Sequence, residues 1–286
     1  MAKKKTVLDF VRMKENGERF SYLVLYDFTF AMLAEESGVD MILIGDSMGN
    51  VIYGYDGTVP VTLDQIIYHA SAVRRGAPNT FIVGDMPFLS YSVSVRETVQ
   101  NAGRLYKEAA VDAVKMEGGK RIASHIKAVV DAGMVVHGHI GITPQSVSAL
   151  GGFGAQGRTL EDAVVLLEDA ESLQEAGVAA IVLEGLPAET GKLITEQLRI
   201  PTIGTGAGPH CDAQCLNYMD VLGVYQMFKP KFVKRYANLG DEIRSSFGTF
   251  FEEIRSGAYP APEHCYGMRE GERERLAEWA RNKVQR

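Results

Sequence analysis

The sequence predicts an α/β protein built on parallel strands, and three observations lead there. Short apolar runs alternate with longer segments of helical spacing along the chain. An apolar run that ends on a carboxylate, first seen where Met41–Ile44 leads to Asp46, recurs three times further along. Eight such strand–helix units match the roughly 250 residues of a closed (β/α)8 TIM barrel. A doubly wound open sheet shows the same alternation, and periodicity alone does not separate the two.

In order, residues 6–16 read as a short helix with Val7, Phe10 and Val11 on one face, and residues 21–26 (SYLVLY) as the first strand. A helix follows over 28–37, with Gly38 as its C-terminal cap. The second strand is 41–44. The helix over 61–75 has Thr62 as a candidate N-cap with Gln65 in its first turn, and Gly76 ends it. Further strands are expected at 80–83, 113–116, 134–137, 179–183 and 201–203, and a weak eighth at 218–224. The helices between them fall at 94–108, 122–132, 159–176 and 188–198, with a glycine-rich loop at 151–158. Two more, near 237–256 and 270–283, close the chain, the last with a narrow apolar stripe of Leu276, Trp279, Ala280 and Val284.

With 286 residues, 46% of them hydrophobic, the chain can bury a large core. No Pro/Gly/Ser linker, charge block or low-complexity stretch divides it, so 1–286 is expected to be one barrel domain with a helical C-terminal tail from about 237. A net charge of −6 argues against a nucleic-acid partner. Three cysteines suit a reducing compartment. The start MAKKKTVLDF has no apolar core of a signal peptide. No run approaches the ~20 apolar residues of a membrane span. A cytoplasmic protein with no membrane partner is expected.

In a barrel of this kind, chemistry gathers at the C-terminal ends of the strands. Those ends carry Asp46 with Ser47, Asp85, Glu117, His139 and Glu184, followed by Gly204, Gly206 and Gly208. A single acid after a strand is most often a loop residue or a helix cap; four strands ending this way point to one shared site. Asp46, Asp85 and Glu117 at one mouth would repel each other unless a cation sat among them, and oxygen ligands suit a hard ion such as Mg²⁺. Lys115 is two residues from Glu117, so both side chains face the same space and Lys115 can neutralise a substrate carboxylate. Glu184 is the candidate general base. His139 is read either as a packed loop histidine or as a substrate contact. The Gly204–Gly208 run lacks dinucleotide spacing and reads as a tight turn. His210, Cys211 and Cys215 lack the paired spacing of a metal site and read as ordinary loop or buried residues.

Several strings, in order, carry a family resemblance: Gly45-Asp46-Ser47, Asp85-Met86-Pro87-Phe88, Val114-Lys115-Met116-Glu117-Gly118-Gly119, the ten residues from Gly138 to Val147 (GHIGITPQSV), Gln156-Gly157-Arg158-Thr159 and Ile181-Val182-Leu183-Glu184. From about Thr6 to Gly267 the chain resembles the ketopantoate hydroxymethyltransferase (3-methyl-2-oxobutanoate hydroxymethyltransferase) family. That resemblance implies a (β/α)8 barrel of the phosphoenolpyruvate/pyruvate type and a homodecamer built as a pentamer of dimers. It also implies Mg²⁺, and 5,10-methylenetetrahydrofolate as the donor of a hydroxymethyl group to a 2-oxoacid in pantothenate biosynthesis. Its metal positions fall on Asp46, Asp85 and Glu117. Its oxoacid contacts fall on Asp46, Ser47, Asp85 and Lys115, and its proton acceptor on Glu184. His139 is added here as a residue that orients substrate or passes a proton. The chain departs from the family pattern at Gly57, Gly185, Thr205, Pro209–Ala213 and Met219, in loops expected to surround the substrate tail or the folate. The alternative on the same barrel is a Mg²⁺-dependent lyase or aldolase that acts on another 2-oxoacid without folate.

Overall fold

Parallel strands covered on both faces carry unbroken apolar runs, and Met41–Ile44 is one: all four residues are buried in strand β2. The computed structural model describes residues 4–152 and 154–284. Part of the basic start, Phe153 of the predicted glycine-rich loop and the last two residues of the tail therefore lie outside the described residues. The strands are β1 (Phe20–Val24), β2, β3 (Phe81–Asp85), β4 (Ala113–Glu117), β5 (Val136–Gly141), β6 (Ala180–Glu184), β7 (Thr202–Thr205) and β8 (Ala213–Asn217). They pair in chain order, every pair parallel, and β8 returns to β1, which closes the barrel and excludes the open sheet.

Two sequence expectations need correction. The eighth strand is Ala213–Asn217, whereas Tyr218–Val221, expected to be strand, forms the short helix that follows it. Pairing decides this: Ala213 to Asn217 lie in register with Phe20 to Val24 across the closing seam. Asp85, Glu117, His139 and Glu184 also belong to the strands rather than to the loops after them. The ladder continues through Asp85 beside Lys115, Glu117 beside His139 and Gly141 beside Glu184. Strand residues hold their side chains more firmly than loop residues, so these groups are set by the barrel itself.

The helices on the outside run α1 (Val7–Glu15), α2 (Phe28–Glu36), α3 (Met48–Val51), α4 (Leu63–Gly76), α5 (Val95–Ala109), α6 (Ala123–Asp131), α7 (Val147–Leu150), α8 (Leu160–Glu175), α9 (Ala188–Gln197) and α10 (Tyr218–Val221). Their starts are chemically marked. Thr62 and Gln65 exchange bonds as a capping box at α4, and Asp27 accepts from the Phe30 amide, at 3.0 Å, at α2. Inside the barrel the lower level is aromatic. The Phe81 ring lies 6.1 Å from that of His137 at an interplanar angle of 11°, and the Tyr22 ring meets His137 edge-on at 6.2 Å. The chain separates into two compact units, Met1–Ala237, which holds the barrel, and Asn238–Arg286, which holds α11 (Leu239–Ser256) and α12 (Glu272–Val284). No helix among the described residues is long and apolar enough to cross a membrane.

Candidate active site

Above the aromatic level the barrel interior turns polar. β3 contributes Asp85, β4 contributes Lys115 and Glu117, β5 contributes His139, and all four are buried. Asp46, also buried, stands just beyond β2, and its backbone amide donates to Asp85 Oδ2 at 3.0 Å. One carboxylate oxygen from each of Asp46, Asp85 and Glu117 lies within 4.8 Å of the others. Lys115 Nζ sits 2.9 Å from Asp85 Oδ1 and 3.2 Å from Glu117 Oε1. His139 forms ion pairs on both sides, Nδ1 to Glu117 Oε1 at 3.3 Å and Nε2 to Glu184 Oε2 at 3.3 Å. Glu184 is less covered, with 22% of its side chain exposed. Asp46, Asp85, Lys115, Glu117, His139 and Glu184 are therefore in one connected cluster. Ser47, the N-terminal flank of α3, joins it through its neighbour Asp46.

The electrostatics follow from this crowding. Burial pushes the Asp46 carboxyl well up, and the charges of Asp85 and Glu117 push it the same way. Asp85 is raised too, chiefly by burial, against the pull of Lys115. Burial would also raise Glu117, but Lys115 and His139 outweigh it and hold that carboxyl at about 2. Lys115 keeps its proton because Asp85, Glu117 and Asp46 overcome the burial that opposes its charge. Burial and Lys115 both disfavour a charged His139, yet Glu117 and Glu184 prevail and lift it to about 9. Two carboxyls thus remain strained toward protonation despite one buried ammonium and one imidazolium. That is the condition a further cation relieves, and an all-oxygen donor set fits a hard dication of the Mg²⁺ kind.

Gln145 and Tyr91 complete the pocket, and no strand-end rule points to them. Gln145 Nε2 donates to Asp46 Oδ2 at 2.8 Å, and the Gln145 amide donates to Glu117 Oε2 at 3.2 Å. The Tyr91 hydroxyl donates to Gln145 Oε1 at 2.7 Å and accepts from the Glu117 amide at 3.2 Å. Gln145 lies in a short 3-10 turn beyond β5, inside the string from Gly138 to Val147, and Tyr91 lies in the loop beyond β3, outside every string that carries the resemblance; nothing local marks either one. The departure at Gly185 also has a physical reason. Its φ is +62°, and a Cβ there would lie 2.2 Å from Ile142 Cδ1. Gly141, at φ +97°, likewise brings β5 against the Glu184 carbonyl, 2.2 Å from where a Cβ would stand. Gly57, by contrast, has open space around it, and nothing in the structure explains that departure.

The profile of the family described as ketopantoate hydroxymethyltransferase matches residues 4–262. The chain belongs to that family. The 3-methyl-2-oxobutanoate hydroxymethyltransferase of Heliobacterium modesticaldum is 51% identical over 268 residues, 94% of this chain and 97% of that one. The protein of the same name from Clostridium beijerinckii is 50% identical over 96% of this chain and 99% of its own. Among solved structures, a phosphonopyruvate hydrolase superposes with a TM-score of 0.59 at 12% identity, covering 99% of this chain and 98% of that one. A 2,3-dimethylmalate lyase, described as a PEP mutase/isocitrate lyase superfamily member, gives 0.59 at 17% identity over 98% of both. At such identities these two share the barrel fold. Family membership makes the chain an enzyme, and its cluster stands at the end of the barrel where this fold places catalysis.

Proposed function

We propose that the protein transfers a hydroxymethyl group from 5,10-methylenetetrahydrofolate to 3-methyl-2-oxobutanoate, with water completing the hydroxyl, to give 2-dehydropantoate and tetrahydrofolate. The observation that carries this is the convergence of Asp46, Asp85 and Glu117 to within 4.8 Å beside a buried lysine. The names of relatives at about half identity support it. Asp46, Asp85 and Glu117 would hold Mg²⁺, which when bound polarises the 2-oxo group and offsets the charge that develops as C3 loses its proton. Glu184 takes the C3 proton, being the least covered acid of the cluster and paired to His139. His139, held between Glu117 and Glu184, orients that base. Lys115 and Ser47 receive the substrate carboxylate. The reaction belongs to pantothenate biosynthesis, and the protein works in the cytoplasm as a homodecamer, a pentamer of dimers.

The test is direct. Purified protein with 3-methyl-2-oxobutanoate, 5,10-methylenetetrahydrofolate and Mg²⁺ should form 2-dehydropantoate. Folded protein that forms none overturns the proposal. Turnover of a 2-oxoacid with the folate left out would instead mark a lyase or aldolase.

A further inference from the structure

A serine hydroxyl can donate or accept, so naming Ser47 as an oxoacid contact leaves the direction of its bond open. We propose that Asn217 and Tyr26 act as positioning residues that hold Ser47 as a donor aimed at an anionic substrate oxygen, its carboxylate. The inference rests on the oxoacid being the substrate and adds a directed hydrogen-bond relay to that site.

The relay begins at Asn217, the last residue of β8. Its Oδ1 accepts the Met219 amide at 3.0 Å where α10 starts. A backbone amide only donates, so the side-chain oxygen must be on that side and Nδ2 on the other. Nδ2 lies 2.6 Å from the Tyr26 hydroxyl and can only donate to it. The single Tyr26 proton is left for Ser47 Oγ, 2.7 Å away. Tyr26 is wholly buried, burial pushes its phenol far up, and it keeps that proton. Its ring is fixed as well: the His69 Nδ1–H donates to the Tyr26 carbonyl at 2.6 Å, and the Tyr218 ring packs edge-on at 5.8 Å. Ser47 makes no bond back to the start of α3. Having spent a lone pair on Tyr26, Ser47 retains a proton with no acceptor among the described residues. With Asn217 oriented by the Met219 amide, the Tyr26 proton has only Ser47 Oγ to meet, and the chain ends on the hydroxyl of the residue next to Asp46. A substrate carboxylate is the acceptor that matches.

Substitutions that reverse the relay test it. In Asn217→Asp the oxygen that replaces Nδ2 can only accept, so the Tyr26 proton turns to residue 217. Ser47 must then donate to Tyr26 and presents a lone pair to the substrate. Aspartate keeps both the size of asparagine and its helix-capping ability, so a merely structural role predicts no loss. The Kd for 3-methyl-2-oxobutanoate, read by calorimetry with Mg²⁺ present, should rise by about tenfold or more in Asn217→Asp. The same change in a Ser47→Ala background should have no further effect, because the relay then has no end. Equal losses in both backgrounds would assign the effect to the added charge and overturn the proposal. Tyr26→Phe, which removes the relay without adding charge, should weaken binding by about threefold to tenfold and raise KM while leaving kcat nearly unchanged; unchanged binding overturns the proposal. Wild-type protein that binds no oxoacid removes the parent function and this inference together. Wild-type binding with a neutral Asn217→Asp removes only the relay.

Discussion

His137 and His139 lie two residues apart on β5 and are equally buried, at 1% and 2% exposure, yet their proton affinities move in opposite directions. His137 meets the rings of Phe81 and Tyr22, and its Nδ1 has no hydrogen-bond partner. Burial alone drives it down to about 3. His139 experiences the same burial but stands between Glu117 and Glu184, and it rises to about 9. Burial therefore does not decide the charge of a group inside this barrel; the partners do. One level of the interior is a neutral aromatic floor, and the next is an ionic site resting on it.

The contrast breaks most visibly at the ionic level. Glu184→Gln removes the proposed base and one of the two acids that charge His139. Turnover should fall by about 10²–10⁴-fold while calorimetry still detects the oxoacid. A rate equal to wild type would take Glu184 out of the proton transfer. Next in size is Gln145→Leu, which leaves the three carboxylates and the amide bond to Glu117 in place but frees Asp46 from the side chain that holds it. Mg²⁺ affinity should drop by about 10–100-fold, the usual cost of losing a group that orients metal ligands; an unchanged titration would show that the strands alone position the acids. The smallest effect belongs to the floor. An unfolded histidine takes a proton below about 6.5, whereas folded His137 resists until about 3. In that window the unfolded state binds the extra proton, so stability falls as pH drops and is fully present above about 6.5. Relative to His137→Leu, the wild type should lose about 2 kcal/mol more between pH 7 and pH 5 in denaturant titrations. Parallel losses would place a charge on the floor.

Most of the barrel is legible in the sequence because β2, β3 and β6 are apolar runs that lead to acids, and β4 is one interrupted only by Lys115. β8 is not. Its residues Ala213-Gln214-Cys215-Leu216-Asn217 include none of the branched or aromatic types that mark a strand, and the more apolar stretch after it competes for the assignment. Closure of the barrel, not local preference, makes it a strand. The charged site residues are legible because acids at strand ends stand out. Gln145, Tyr91, Tyr26 and Asn217 do not, because a neutral polar side chain is ordinary in a turn or at the end of a strand, and only its partners make it part of a site. The Cys211 and Cys215 side chains are buried, in keeping with their reading as ordinary residues rather than metal ligands.

The bond from Asn217 through Tyr26 to Ser47 runs from β8 over the end of β1 to the end of β2, and so crosses the seam where the barrel closes. A ribosome delivers β8 last of the strands, and a domain generally folds as a unit. Until that strand docks, the barrel is open at its seam and Ser47 has no fixed direction. In the proposed relay, recognition of a carboxylate is the last property the chain acquires, because it waits on the final strand.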